Sequence, residues 1–284
     1  NHGTAPGAAL EKNGKCVIIL PGPPGELVPM FNESVRGFLK KYSDGAIVSH
    51  TVNIIGMGES SVAEEIEDMF DAKNPTVAPY AKSGEVRLRI TAKAETADEA
   101  DKMCAPVVDE ICSRLGDVVY GTDMNSIEER VVALLKEKGK KIATAESCTA
   151  GYIPKRLTDI PGASEVFECG IVSYSNDIKT KLLGVSPKTL ETYGAVSEQT
   201  AREMALGAKH VSGADIAIST TGLAGPGGDG VLPGGLSFAA VTDGERTVVE
   251  KIVTGHENDR EYNRYVTASR ALNLARLMLE EKIK

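Results

Sequence analysis

The sequence predicts an α/β protein whose C-terminal part is a three-layer α/β/α domain with a mixed sheet, preceded by a small α+β module and a truncated α/β domain. Its 284 residues exceed a single domain of roughly 100–200 residues, so two or three domains are expected. Strand-like and helix-like segments are interspersed over residues 126–284, as in layered α/β domains. The middle part is distinctly acidic, because residues 42–120 hold seven Lys or Arg against fifteen Asp or Glu.

Composition excludes several classes of protein. With 42% hydrophobic and 25% charged residues, the chain has the composition of a globular protein, and no apolar run approaches the ~20 residues of a membrane span. A net charge of −8 argues against a general nucleic-acid binder. The five cysteines form no C-x-x-C pair and lie far from the four histidines, which disfavours a disulfide framework and a zinc site. Reduced thiols in a cytoplasmic protein are therefore expected.

The first 41 residues are interpreted as the tail of an α/β domain. A short run rich in β-branched residues at 15–20 predicts a buried strand, and apolar positions at helical spacing predict a helix over 25–41. One strand and one helix cannot bury a core alone. The chain also opens with Asn-His-Gly-Thr, without a start Met or the basic segment of a signal peptide. We therefore expect residues 1–41 to be the remnant of a larger domain.

Residues 42–121 are predicted to form a β-α-β-α module, with strands at 48–55 and 85–94 and helices at 60–70 and 97–115. After a short linker, residues 126–284 are predicted to form the layered domain. Its expected strands are 141–145, 168–174, 216–220, 236–242 and 247–253, and its expected helices are 126–138, 151–158, 175–183, 197–210 and 260–284.

The densest cluster of reactive side chains follows the strand at 141–145. There a turn of small and polar residues precedes a helix, a geometry that can expose a nucleophile and direct helix N–H groups at an anion. Ser147 is a candidate nucleophile, although capping the helix is the commoner use of serine at such a position. Cys148 is an alternative nucleophile, but no His–Asn pair is evident to activate it.

Serine needs a base, and none of the histidines lies in a recognisable triad pattern, so a Ser–Lys pair becomes an option. Lys179 and Lys181 lie just after a strand end, where Tyr174 could hydrogen-bond a reacting group. A lysine acts as a base only if burial or nearby positive charge lowers its pKa. Both lysines could equally be solvated residues of an exposed helix face, and from the residues alone that reading is favoured.

A third cluster is the glycine-rich loop over residues 220–230. Glycine at this density can bring backbone N–H groups against a phosphate or an oxyanion, although the loop matches neither a P-loop nor a Rossmann fingerprint and could be an ordinary exposed loop. Arg260 and Arg264 lie near the start of the last helix, where they could bind a phosphate or form ordinary surface ion pairs.

Seven phrases, in this order and spacing, resemble the C-terminal domain of the CinA family: AESCTAG, PGASEVF, GIVSYSNDIK, LLGV, YGAVSE, TTGLAGPGG and NDREYNR. The phrases GTAPG and ILPGPPGE resemble the end of that family's molybdopterin-biosynthesis-like domain, and the acidic module resembles its KH-like connecting domain. The resemblance implies domains at 1–41, 42–121 and 126–284.

The resemblance implies an amidohydrolase that converts nicotinamide mononucleotide to nicotinic acid mononucleotide and ammonia, in pyridine nucleotide recycling. Carried over by motif, the catalytic residues are Ser147 as nucleophile, Lys179 as base and Tyr174 as the residue that assists them. The implied substrate-binding residues are Thr221, Gly222, Gly225, Arg260, Arg264, Cys148 and Thr149. No metal or other cofactor is implied for this domain, and a divalent metal only for the N-terminal one. The implied partner is a small nucleotide, with no nucleic acid and no membrane, and the implied assembly is a homodimer.

This chain departs from the family's pattern at three places. Ala150 stands where a glycine is usual, residues 232–236 lack the lysine and threonine of a Lys-Pro-Val-Gly-Thr phrase, and Asn258 replaces a glycine. The second departure bears on the exact substrate. Two alternative functions stay open: an ADP-ribose-type nucleotide pyrophosphatase acting through the N-terminal domain, and a competence-related nucleotide- or nucleic-acid-binding protein without enzymatic activity.

Overall fold

The computed structural model describes residues 3–42 and 44–283, which contain three separate sheets. The first is an N-terminal hairpin of strands β1 (Ala8–Lys12) and β2 (Lys15–Ile19). It is followed by helix α1 (Pro24–Met30), a π-helical segment (Phe31–Val35) and helix α2 (Arg36–Leu39). The sequence predicted only the second strand, and the first one is exposed along its whole length. The prediction that the second strand is buried was wrong, because its residues alternate between exposed and half-buried in this two-stranded hairpin.

The middle module is a four-stranded antiparallel sheet in the order β4-β5-β3-β6. Its strands are β3 (Ala46–Ile55), β4 (Thr76–Lys82), β5 (Glu85–Ala94) and β6 (Val119–Thr122), and its helices are α3 (Glu59–Glu65) and α4 (Ala97–Leu115). Strands β3 and β5 pair over their full length, and α4 covers one face of the sheet through Ala100, Cys104 and Ile111. Sequence analysis missed the two edge strands β4 and β6, one of which carries Pro79 and is mostly exposed.

The C-terminal part is built on a mixed five-stranded sheet in the order β11-β10-β9-β7-β8. Its strands are β7 (Ile142–Glu146), β8 (Phe167–Val172), β9 (Ile216–Gly222), β10 (Leu236–Thr242) and β11 (Thr247–Val253). Strand β7 runs parallel to both β8 and β9, whereas β10 and β11 are antiparallel to their neighbours. All five strands and the mixed α/β class agree with the sequence prediction.

Helices cover both faces of this sheet. They are α5 (Ile127–Lys138), α6 (Tyr152–Thr158), α7 (Asn176–Leu183), α8 (Pro187–Tyr193), α9 (Glu198–Ser212) and α10 (Arg260–Leu279). On one face Ile142 packs with side chains of α5, α6 and α10, and on the other Ala143 and Ala145 pack with α7 and α9. The prediction missed α8, and α10 ends before the predicted terminus at Lys284, which lies outside the described residues.

The middle module packs against α10 through polar contacts. Arg276 of α10 is completely buried, and its guanidinium donates to the backbone carbonyls of Asp117 and Val119. Nearby, the hydroxyls of Tyr120 and Tyr265 both donate to the carboxylate of Glu85. These contacts hold the acidic module against α10, which itself covers one face of the C-terminal sheet.

The first and third sheets lie within ranges predicted as domains, and the middle sheet extends one residue past its predicted range, to Thr122. The division itself stays a prediction. Among residues 3–42 and 44–283, no helix has both the length and the apolar character needed to cross a membrane.

Candidate active site

The candidate site lies where three neighbouring strands end. Because β8, β7 and β9 are parallel, their C-terminal ends meet at one edge of the sheet, the usual position for ligand sites in α/β folds. Ser147 follows β7 directly, Tyr174 comes two residues after β8, and Thr221 is at the end of β9. The fold therefore collects the clusters that sequence analysis singled out separately.

Ser147 and Lys179 are in direct contact. Lys179 lies in the first turn of α7, which begins after Ser175, whose hydroxyl accepts the N–H of Ile178 as an N-cap. The lysine Nζ lies 3.1 Å from the Ser147 Oγ, within hydrogen-bond distance. The Ser147 backbone is itself fixed, because its N–H donates to the carbonyl of Thr220 at 2.9 Å. A nucleophile and a base are thus within proton-transfer distance.

The surroundings of Lys179 favour its neutral form. The side chain is only 1% exposed, and burial lowers the pKa of its amine. Besides Ser147, the amine donates to the carbonyls of Ser173 at 2.9 Å and Tyr174 at 3.3 Å. Within residues 3–42 and 44–283 it has no carboxylate in ion-pair range. Both protonation states can satisfy these three oxygens: an ammonium donates to all of them, and a neutral amine donates to the two carbonyls and accepts from the serine hydroxyl.

Cys148, the alternative nucleophile, is poorly suited to the role. It lines the same cavity, but its thiol is buried, and burial raises its pKa to about 12. Reactivity of cysteine requires the thiolate, which is scarce near neutral pH in such surroundings. The geometry therefore favours Ser147 over Cys148 as the reactive group.

The glycine-rich loop forms one wall of the cavity. At Gly225 the backbone has φ +91°, and a Cβ there would stand 2.3 Å from the carbonyl oxygen of Glu257, so only glycine fits. Thr221 donates its hydroxyl to the carbonyl of Ala195 and so ties the loop to the segment before α9. At the rim, Arg260 donates to the carbonyl of Gly225 at 2.9 Å and to the Tyr174 hydroxyl at 3.4 Å.

These groups enclose a cavity of about 320 Å³. Eight of the ten residues predicted for the site line it: Ser147, Cys148, Tyr174, Lys179, Thr221, Gly222, Gly225 and Arg260. Five further lining residues belong to the glycine-rich loop singled out from the sequence: Leu223, Ala224, Pro226, Gly227 and Gly228. Sequence analysis did not assign Asn176, Ala195 and Val196 to the site, although they also line the cavity. Asn176 could have been found, because it lies in the same phrase as Tyr174 and Lys179.

Two predicted substrate-binding residues do not line the cavity. Thr149 lies in the turn between β7 and α6 that carries Ser147. It is completely buried, and its hydroxyl lies 2.6 Å from that of Thr220. Arg264 faces the same region from α10 and donates to the Thr149 carbonyl at 2.7 Å. It follows Arg260 by one turn of α10 and, unlike Arg260, does not line the cavity.

The N–H groups at the start of α6, expected to face an anion, are already occupied by the chain itself. The Ile153 N–H donates to the carboxylate of Glu146 at 3.1 Å, and the Tyr152 N–H donates to the Thr149 carbonyl at 3.3 Å. A ligand anion must therefore bind elsewhere, and Arg260 is the cation present at the cavity rim.

The departures from the family's pattern lie outside the cavity lining. Ala150 adopts a left-handed backbone with φ 49°, which explains why glycine is usual there. None of the residues 232–236 is among those lining the cavity. In the part of the chain described, no group of three or more His, Cys, Asp or Glu side chains is arranged to hold a metal ion.

Comparison with known proteins places the chain in a family. The model of the CinA C-terminal domain matches residues 124–279, and that of the damage-inducible protein CinA KH domain matches residues 49–121. A competence-damage inducible protein of Clostridium beijerinckii is 53% identical over 91% of this chain, and a CinA-like protein of Desulfovibrio desulfuricans is 46% identical over 96%. The chain spans 64% and 65% of these two relatives.

Solved structures agree. The competence/damage inducible protein CihA from Agrobacterium tumefaciens is 38% identical, with a TM-score of 0.52, and the match covers 54% of this chain and 93% of that one. A CinA superfamily protein from Escherichia coli is 32% identical, with a TM-score of 0.50 over 55% of this chain and 92% of that one. With both family models matched in sequence order across residues 49–121 and 124–279, the chain belongs to the CinA family.

Proposed function

We propose that this chain hydrolyses the carboxamide of nicotinamide mononucleotide to nicotinic acid mononucleotide and ammonia. The observation that carries the proposal is the 3.1 Å contact between Ser147 Oγ and a buried Lys179 amine without a carboxylate partner, at the floor of an open cavity. A Ser–Lys pair of this kind supports acyl transfer. The choice of nucleotide rests on the resemblance of the surrounding motifs to the CinA family.

In the first half-reaction, neutral Lys179 accepts the proton of Ser147 as its Oγ attacks the carboxamide carbon. The carbonyl oxygen becomes an oxyanion, which backbone N–H groups near Cys148 and Thr149 or in the glycine-rich loop would stabilise. The C–N bond then breaks, and the Lys179 ammonium returns the proton to the leaving nitrogen. Ammonia departs, and the substrate's acyl group remains as an ester on Ser147.

In the second half-reaction, water replaces ammonia. Lys179, neutral again, removes a proton from the water as it attacks the ester carbon. Collapse of the tetrahedral intermediate breaks the bond to Ser147 Oγ, which regains its proton from Lys179. The product is the carboxylic acid, and no electron transfer occurs in either half-reaction.

Two residues at the rim have proposed roles toward the substrate. Arg260 lies at the rim of the cavity and, among residues 3–42 and 44–283, pairs with no carboxylate, so its charge is available to the 5′-phosphate. Tyr174 was predicted to assist Ser147 and Lys179, but its contact with the lysine amine is through its backbone carbonyl, and the hydroxyl of its 63% exposed side chain lies beside Arg260. We therefore propose that this hydroxyl acts with the arginine toward a bound ligand. Arg260 and Tyr174 would bind the 5′-phosphate, at the end of the nucleotide remote from the carboxamide.

A homodimer in the cytoplasm that binds no nucleic acid remains part of the proposal. The segment Gly56-Met57-Gly58-Glu59 lacks the second glycine of the G-x-x-G loop by which KH domains clamp nucleic acid. It lies in a cleft against Tyr262 and Arg270 of α10.

The test is ammonia release from nicotinamide mononucleotide by the purified chain with a metal chelator present. We expect turnover by the parent and its loss in Ser147→Ala and Lys179→Ala. The matched control is Lys181→Ala, which removes an exposed lysine from the same helix and should retain activity. Failure of the folded parent to release ammonia, or full activity of either site variant, would overturn the proposal.

A further inference from the structure

The turn that carries Ser147 has an unfavourable backbone. Ala150 and Gly151 are both left-handed, with φ of 49° and 86°, and the first of them has a Cβ. A chain rarely adopts the left-handed conformation at two successive residues unless contacts with other parts of the molecule stabilise it. The turn must therefore be held by contacts with the rest of the molecule, and the structure shows one on each side of it.

The first contact comes from Glu146, the residue immediately before Ser147. Its side chain is completely buried, and its Oε2 accepts the Ile153 N–H at 3.1 Å, beyond the far end of the turn. Burial raises the pKa of this carboxyl, while the Thr149 hydroxyl and the N–H groups at the start of α6 oppose that shift. The contact closes residues 146–153 into a ring and fixes where the helix begins relative to the serine.

The second contact comes from Arg264 on α10. Its guanidinium donates to the Thr149 carbonyl at 2.7 Å and lies 5.6 Å from the centre of the Tyr152 ring. Within residues 3–42 and 44–283 no carboxylate lies in ion-pair range of this arginine, and its Nε is buried without a hydrogen-bond partner. An arginine without such a partner, holding one backbone carbonyl, orients that peptide unit strongly.

We propose that Glu146 and Arg264 are positioning residues for the reaction at Ser147. Neither lines the cavity, so both act through the turn: Glu146 holds its far end at α6, and Arg264 holds the peptide after Thr149. Together they fix the Ser147 Oγ opposite Lys179 and the direction of the neighbouring N–H groups. This inference rests on the proposed function, and it reassigns Arg264 from the substrate to the nucleophile.

A positioning role and a substrate-binding role have different kinetic signatures. Loss of a substrate contact made equally in ground state and transition state raises KM, whereas misplacement of the nucleophile lowers kcat and leaves KM nearly unchanged. A displacement of about 1 Å at a reacting group can cost ~100-fold in rate. Arg260, one turn earlier on α10 and at the cavity rim, provides the contrasting case.

The experiment measures kcat and KM for ammonia release in Glu146→Ala, Arg264→Met and Arg260→Met. We expect kcat to fall roughly 10- to 100-fold in the first two with KM changed less than about threefold, and KM to rise in the third. Glu146→Gln and Arg264→Lys keep an acceptor and a donor and should recover much of the rate. The control for general destabilisation is Arg270→Met, which changes another arginine of α10 and removes its ion pair with Glu250 of β11.

A second readout does not depend on the substrate. A fluorophosphonate probe reacts with an activated serine, and intact mass reports its rate of attachment. We expect slower labelling in Glu146→Ala and Arg264→Met than in the parent, Arg260→Met and Arg270→Met. If the parent is labelled but releases no ammonia, the proposed function fails while this inference is still tested.

Three outcomes would overturn the inference. They are a rise in KM for Arg264→Met matching that of Arg260→Met, an equal loss of rate in Arg270→Met, and labelling at the parent's rate in both positioning variants. A folded parent that is not labelled at all would overturn the inference together with the proposed mechanism.

Discussion

Two regions of this molecule each bury a basic side chain almost completely, but they give it different partners. Arg276 is 0% exposed at the contact between the middle module and α10, and Lys179 is 1% exposed at the end of the C-terminal sheet. Both side chains donate to two backbone carbonyls. The difference lies in the remaining partners.

Arg276 is supplied with a carboxylate. Its guanidinium donates to Glu280 at 2.8 Å and to the side-chain carbonyl of Asn273 at 2.9 Å, so every part of the buried group is hydrogen-bonded. Burial lowers the pKa of Arg276, but a guanidinium titrates so far above neutral pH that it stays charged. Lys179 has a hydroxyl in place of the carboxylate, and burial lowers its pKa with no carboxylate among the described residues in ion-pair range to oppose it. A compensated cation stabilises a contact, whereas an uncompensated lysine becomes a base.

The largest expected effect comes from Lys179→Met. Loss of the base should reduce kcat by about 10³-fold or more, at the upper part of the range for general base catalysis. The melting temperature should fall less than in Arg276→Met, because methionine fills similar space and removes the cost of burying an amine, which offsets the lost hydrogen bonds to two carbonyls. Steady-state kinetics and thermal unfolding of the same preparation check both halves. A marked fall in melting temperature would mean that the amine stabilises the fold.

The opposite pattern is expected for Arg276→Met. Removing one partner of a buried ion pair commonly costs about 3–5 kcal/mol in the free energy of unfolding, and here it also strands two carbonyls of the middle module. The folded fraction should retain kcat within about threefold, because the residue is remote from the cavity. Thermal unfolding and kcat per folded molecule measure the two effects. An unchanged melting temperature would contradict this account of the contact.

The pH dependence of activity sharpens the comparison. Burial lowers the pKa of Lys179, and in the proposed mechanism the neutral amine is the active form, so kcat/KM should rise about tenfold per pH unit below that pKa and level off above it. The midpoint should fall below the ~10.4 of an ordinary lysine.

The free energy of unfolding should also increase with pH. Between the folded and unfolded pKa values of Lys179 the unfolded chain binds more protons, so the free energy of unfolding increases with pH. A pH–rate profile and unfolding of the parent and Lys179→Met over that range measure both effects. An activity that falls with rising pH over the same interval would contradict a neutral-lysine base.

The smallest effect is expected for Cys148→Ala. Although this thiol lines the cavity beside Ser147, burial raises its pKa to about 12, so it should contribute little to the chemistry. We expect kcat within about threefold of the parent, and no alkylation of Cys148 by iodoacetamide until the protein is unfolded. Kinetics and mass mapping of the alkylated peptides provide the check. Loss of activity comparable to that of Ser147→Ala would assign the nucleophile to the thiol.

Sequence analysis predicted the central strands well and the edge elements poorly, for a physical reason. The buried strands β7 and β9 consist of apolar and small residues except for the final Glu146 of β7, whereas β1 and β4 are largely exposed and were not recognised. Helix α8 was missed because, at seven residues with no fully buried side chain, it has no apolar stripe long enough to detect.

The sequence allowed prediction of those site residues that lie in a motif at the end of a predicted strand. Ser147, Tyr174 and Thr221 each come at or just after the end of a strand, so the topology brings them together. The sequence could not show which side of the turn Arg264 approaches, because that depends on how α10 lies across the sheet. It also could not show that Glu146 accepts the Ile153 N–H of α6, since this contact closes only in the folded turn.

The proposed mechanism requires that Ser147, activated by Lys179, forms an acyl intermediate with the substrate carboxamide. Rapid mixing with nicotinamide mononucleotide, acid quenching and intact mass measurement test it most directly. We predict a transient adduct equal to the substrate less ammonia, located on the peptide that contains Ser147 and absent from Ser147→Ala and Lys179→Met. Turnover without any such adduct, together with an active Ser147→Ala variant, would contradict the account.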